Sequence, residues 1–71
     1  MEVLILKTNI RYMKQVKTVA PLLDGRDNIS RWNIDLEDID KVLRIESNDI
    51  ELTEIVQLIQ DAGFHCEELA D

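Results

Sequence analysis

Apolar residues change their spacing along this chain in a way that marks out six elements. Val3-Leu4-Ile5-Leu6 is short, branched and apolar, runs into Lys7-Thr8-Asn9, and reads as a strand closed by a polar turn. From Ile10 the apolar positions fall at Met13, Val16, Val19 or Ala20, and Leu23, one stripe of a helix that Asn9 is placed to cap and Gly25 to stop. Pro21 lies inside that pattern and predicts a kink or an early end, because it has no N–H for the carbonyl of Lys17. Ile29 to Leu36 alternates, with Trp32, Ile34 and Leu36 on one face and Arg31, Asn33 and Asp35 on the other. A turn at Glu37-Asp38-Ile39-Asp40 leads into Val42 to Glu46, where Leu43 and Ile45 alternate with charge, so the two segments read as an antiparallel hairpin. Leu52, Ile55, Val56, Ile59 and Ala62 follow helical spacing, with Gly63 set for a left-handed cap, and His65 to Leu69 is long enough for a final strand.

The order is strand, helix, strand, strand, helix, strand, and positions 3 to 36 and 41 to 69 repeat one plan. Right-handed crossovers place both helices on one side of the strands. The fold class that follows is α+β, a ferredoxin-like βαββαβ sandwich with a four-stranded antiparallel sheet and two helices on one face. With Leu4 and Leu6 turned inward, Val3, Ile5 and Val42 face outward on the open side of the sheet.

Composition narrows the possibilities. The 71 residues suit a single unit, 1–71, whose core must use nearly all its aliphatic residues, since a domain this small buries only roughly 60% of its unfolded surface. Eight basic against fifteen acidic residues give a net charge of −7, which opposes phosphate-driven binding and argues against nucleic acid as a partner. Cys66 is the one cysteine, so there is no thiol pair for a disulfide, a redox motif or a structural zinc site, in keeping with a cytoplasmic protein. The longest apolar run spans Val3 to Leu6, far below the roughly 20 residues that cross a bilayer, and no membrane partner is expected.

Several segments carry a family resemblance: Lys7-Thr8-Asn9-Ile10-Arg11-Tyr12-Met13-Lys14-Gln15-Val16, Thr18-Val19-Ala20-Pro21-Leu22-Leu23-Asp24, Trp32-Asn33-Ile34-Asp35, Asp40-Lys41-Val42-Leu43 and Ala62-Gly63-Phe64. Together they span nearly the whole chain, which resembles a heavy-metal-associated domain of the copper-chaperone type. The resemblance implies a Cys-x-x-Cys at the end of the first loop, whose thiolates hold a soft ion such as Cu(I). Those two positions fall here on Tyr12 and Gln15. Neither a phenol nor an amide supplies a thiolate, so the resemblance implies the scaffold with a degenerate metal site.

Substitute ligands are the thioether of Met13 and the side chains of His65 and Cys66, beside the Phe64 position that in the family lies close to the metal loop. Adjacent strand residues point to opposite faces, which keeps His65 and Cys66 from converging. The plainer expectations are a buried Cys66 acting as a small hydrophobe, a solvent-facing His65, and a Met13 packed in the core.

Charge is laid out unevenly. Residues 1–34 hold six bases against three acids, a net of +3, and residues 35–71 hold two bases against twelve acids, a net of −10. Arg11, Lys14 and Lys17 repeat every three residues around the former metal loop, forming a patch suited to an acidic protein surface, a small anion, or weak head-to-tail self-association. The carboxylates Asp35, Glu37, Asp38 and Asp40 lack the glycine and frame of a calcium loop and read as a solvated turn. No Ser-His-Asp or Cys-His set is visible. Arg11, Asn9 and Asn33 resemble in outline the phosphate-binding residues of acylphosphatases, which share this fold, without the glycine-rich loop of those enzymes. The reading that follows is a small non-enzymatic domain that has lost its standard metal site and acts by protein docking through Arg11, Lys14 and Lys17. The alternatives are a metal-binding or metal-transport protein using Met13, His65 and Cys66 for Cu(I) or another soft metal, and a remote acylphosphatase-like hydrolase.

Overall fold

A computed structural model describes residues 2–69. The elements are β1 (Glu2–Thr8), α1 (Met13–Asp24), β2 (Ile29–Asp35), β3 (Val42–Ser47), α2 (Leu52–Asp61) and β4 (Cys66–Glu68). The strands form one sheet in the order β2-β3-β1-β4, and every neighbouring pair is antiparallel. β1 and β2 therefore run parallel with β3 inserted between them, and β3 and β4 run parallel around β1. This is the ferredoxin-like arrangement that the spacing predicts.

Alternation decides which side chains meet the helices. Leu4 is paired with Ile45, which is paired with Trp32, and Leu6 is paired with Leu43, which is paired with Ile34. These rows face α1 and α2, whose Val19, Leu23, Ile55 and Ile59 are fully buried against them. Two loop residues, Ile10 and Ile50, complete the core. On the opposite face Val3 is exposed and Ile5 and Val42 are half-buried, as the alternation requires.

Three boundaries depart from the sequence expectation. α1 begins at Met13, not near Ile10, and its N-cap is Tyr12; Asn9 is engaged elsewhere. Ile10 satisfies the helical spacing only by coincidence, because it enters the core from the preceding loop. Pro21 does not end α1 early: it stands on the exposed side of the last turn, forfeits one hydrogen bond, and the helix continues to Asp24. β4 is three residues long, starting at Cys66.

The two helix stops work differently. Gly63, at φ +93, closes α2 with Gly63 N–H donating to Gln60 O at 2.9 Å and Phe64 N–H to Ile59 O at 3.2 Å, a left-handed cap that favours glycine. Gly25 has an ordinary right-handed φ of −78, and what it spares is space, since a Cβ there would lie 3.1 Å from the Pro21 carbonyl. Beyond it, Trp32 Nε1 donates to Asp24 Oδ1 at 2.7 Å and fastens the end of α1 to β2. The hydroxyl of Ser47 is buried without a hydrogen-bond partner among the described residues.

Candidate functional site

The β1–α1 loop is held from three sides. Thr8, almost fully buried, donates from Oγ1 to Lys41 O at 2.6 Å and accepts from Ile10 N–H at 3.2 Å, so one hydroxyl joins this loop to the β2–β3 turn. Asn9 joins it to the α2–β4 loop: its Oδ1 accepts from His65 N–H at 2.8 Å and its own N–H donates to His65 O at 3.4 Å. The third side is Gln15, whose Oε1 accepts from Arg11 N–H at 2.7 Å and Tyr12 N–H at 3.2 Å. Gln15 stands at the third helical position, where a reaching-back amide satisfies N–H groups that the first turn leaves open. The two positions where the resemblance places thiolates thus hold a helix cap, Gln15, and a Tyr12 whose side chain is 65% exposed.

Met13 departs from the expectation of core packing. It is 58% exposed at the first position of the helix, while Val16, one turn on, is the residue that packs against the core. Arg11, Lys14 and Lys17 are exposed around Tyr12 and Met13, and none of the three forms an ion pair among the described residues, where the pairs are Lys7–Asp40, Arg26–Glu54 and Arg31–Glu46.

Of the substitute soft ligands, Cys66 is 2% exposed and packs in the core opposite Thr8, whereas His65 is exposed. Burial, with a smaller contribution from the charge of Glu67, pushes the Cys66 thiol from the ordinary value of 9.0 to about 11. Soft metals bind the thiolate, and this setting favours the thiol. Among the described residues no group of three or more His, Cys, Asp or Glu side chains is placed to hold a metal ion. Asp35 and Asp38 spend carboxylate oxygens on the turn itself, Asp35 Oδ1 accepting from Glu37 and Asp38 N–H and Asp38 Oδ1 from Asp40 N–H. Asn33 faces the open side of β2, two strand spacings, about 10 Å, from β1, while Asn9 is tied to His65.

One surface feature has no signal in the sequence. Lys7, Thr8, Asn9, Arg11, Ile39, Lys41 and His65 line an open groove of about 560 Å³ between the three loops at this end of the sheet. These residues come from three segments separated by more than twenty positions, and only the strand order assembles them.

No protein-family model matches the chain, and no curated protein matches it in sequence. Solved structures do match in fold. A chain of the Atx1–Cu(I)–Ccc2a complex superposes with a TM-score of 0.84 at 22% identity, covering 100% of this chain and 99% of that one. A copper-binding domain from HMA7, a P-type ATPase, gives a TM-score of 0.83 at 18% identity, covering 99% of this chain and 96% of its own. The first domain of the human copper chaperone for SOD1, in a copper(I)-loaded form, gives 0.80 at 17% identity, covering 93% and 89%. The chain carries the ferredoxin-like fold of these copper-binding domains.

Proposed function

We propose that this chain is a non-enzymatic domain of the heavy-metal-associated fold that no longer carries metal through a thiolate pair and acts by docking to a protein with an acidic surface. The observation that supports it most is the start of α1, where Tyr12 and Met13 stand exposed side by side among Arg11, Lys14 and Lys17, none of them ion-paired among the described residues. Tyrosine, methionine and arginine are the residue types enriched at the centres of protein interfaces, and unpaired lysines around them steer an acidic partner. The cap made by Gln15 fixes this surface, since it orders the backbone of residues 11 and 12. One structural relative, the Atx1–Cu(I)–Ccc2a complex, is itself a protein–protein assembly.

The test is affinity capture with the wild-type chain, Tyr12→Ala, and the double variant Lys14→Glu with Lys17→Glu. The reading expects a partner retained by wild type and by an Arg31→Glu control, and lost at least tenfold by both loop variants. A capture profile indifferent to all three changes refutes docking at this surface. Anaerobic Cu(I) titration against a competing chelator tests the other half. Stoichiometric binding lost in Cys66→Ser would establish the alternative, a soft site built from Met13, His65 and Cys66.

A further inference from the structure

We propose that the groove between the three loops binds a small phosphate monoester whose organic body rests on Ile39. Its lining contains Lys7, Arg11, Lys41 and His65 and no carboxylate. In a chain of net charge −7 this concentrates three permanent positive charges and an imidazole around one opening. The guanidinium of Arg11 has no ion pair among the described residues. Lys7 faces Asp40 at 3.8 Å, the long end of an ion pair, with the Lys7 side chain about half exposed and that of Asp40 about a third, so the ammonium can turn to a ligand. Lys41 donates one proton from Nζ to Leu36 O at 2.6 Å, which holds the ammonium in place and leaves its other two N–H groups to donate.

A doubly charged phosphate monoester matches this set better than a single carboxylate, because the guanidinium fork and two ammonium groups offer more donors than one carboxylate accepts. Ile39 supplies the second half of the argument. It is 92% exposed, the most exposed large apolar side chain among the described residues, and it lies on the rim of the groove. An apolar group there gives a bound organic body something to cover. The overall negative charge repels anions at long range, but that field is screened beyond roughly 8 Å at physiological salt, so the groove's own charges govern binding.

Only Arg11 is common to this groove and the docking surface, so the two readings fail separately. The experiment is a ¹H–¹⁵N NMR titration of the whole chain with phenyl phosphate and inorganic phosphate, at constant ionic strength maintained with sodium chloride. The expected result is saturable shifts at the amides of Thr8, Asn9, Arg11, Lys41 and His65, with phenyl phosphate at least threefold tighter than inorganic phosphate. Lys7→Met and Arg11→Met, both at exposed positions compatible with folding, are expected to weaken binding at least fivefold. Lys14→Glu with Lys17→Glu is expected to change it less than twofold. Shifts that sodium chloride alone reproduces, saturation that survives both charge removals, or binding to vesicles containing phosphatidic acid without binding to phenyl phosphate would overturn the proposal.

Discussion

Replacing Thr8 by valine isolates the hydroxyl that joins two loops. Valine keeps the shape and apolar volume of the side chain but removes Oγ1, which donates to Lys41 O at 2.6 Å and accepts from Ile10 N–H at 3.2 Å. The two losses differ in kind. Lys41 is half-buried, and water can replace the donor to its carbonyl at a cost of about 1 kcal/mol. Ile10 is fully buried, so its N–H is orphaned and carries a desolvation penalty of about 1–3 kcal/mol. Together the change is expected to remove about 2–4 kcal/mol, which for a domain of this size lowers Tm by roughly 10–30 °C. Urea denaturation followed by Trp32 fluorescence measures it, with an unchanged m-value showing that the unfolded state is unaffected. Thr8→Ser is the control, because it keeps both hydrogen bonds and gives up one methyl group, about 1 kcal/mol. If Thr8→Val proves as stable as Thr8→Ser, the hydroxyl is not what secures the loops, and the reasoning fails.

Gln15→Ala removes the acceptor for two exposed backbone N–H groups and is expected to cost about 1 kcal/mol, measured by the urea midpoint, with Gln15→Glu recovering most of it. Gly63→Ala meets open space for its Cβ but a φ of +93, so its expected loss of about 1–2 kcal/mol is backbone strain alone, and a thermal melt reads it. The raised thiol value of Cys66 means that between pH 9 and about 11 the folded chain keeps a proton that the unfolded chain releases. Stability contributed by this group is complete below pH 9 and is lost as pH rises toward 11. Urea midpoints at pH 8 and 10.5 should fall further for wild type than for Cys66→Ala, and alkylation of the native thiol at pH 8 should be slow.

The fold was legible because each strand carries its own alternation and each helix its own stripe. Leu43 and Ile45, or Ile55 and Ile59, declare their burial without help from the rest of the chain. The pattern misleads where a residue obeys it for another reason. Ile10 extends the helical spacing yet belongs to a loop, so the spacing alone predicts a helix start three residues too early and makes Asn9 look like a cap. Met13 falls on the stripe but is the first residue of the helix and stands exposed. Tyr12, Gln15 and the basic triplet could be read directly, since they are local in sequence. The groove could not, because Lys7, Ile39, Lys41 and His65 acquire a common purpose only when β1 comes between β3 and β4.

The link between Asn9 and His65 consists of two hydrogen bonds that use only an amide side chain and backbone groups. Such a fastening has no electron to lose and no proton to exchange near neutrality. Oxidants, chelators and moderate acid, which would dismantle a thiolate centre at this end of the sheet, therefore leave the juxtaposition of these two loops intact, and the backbone that carries this surface keeps its shape in reducing and oxidising surroundings alike.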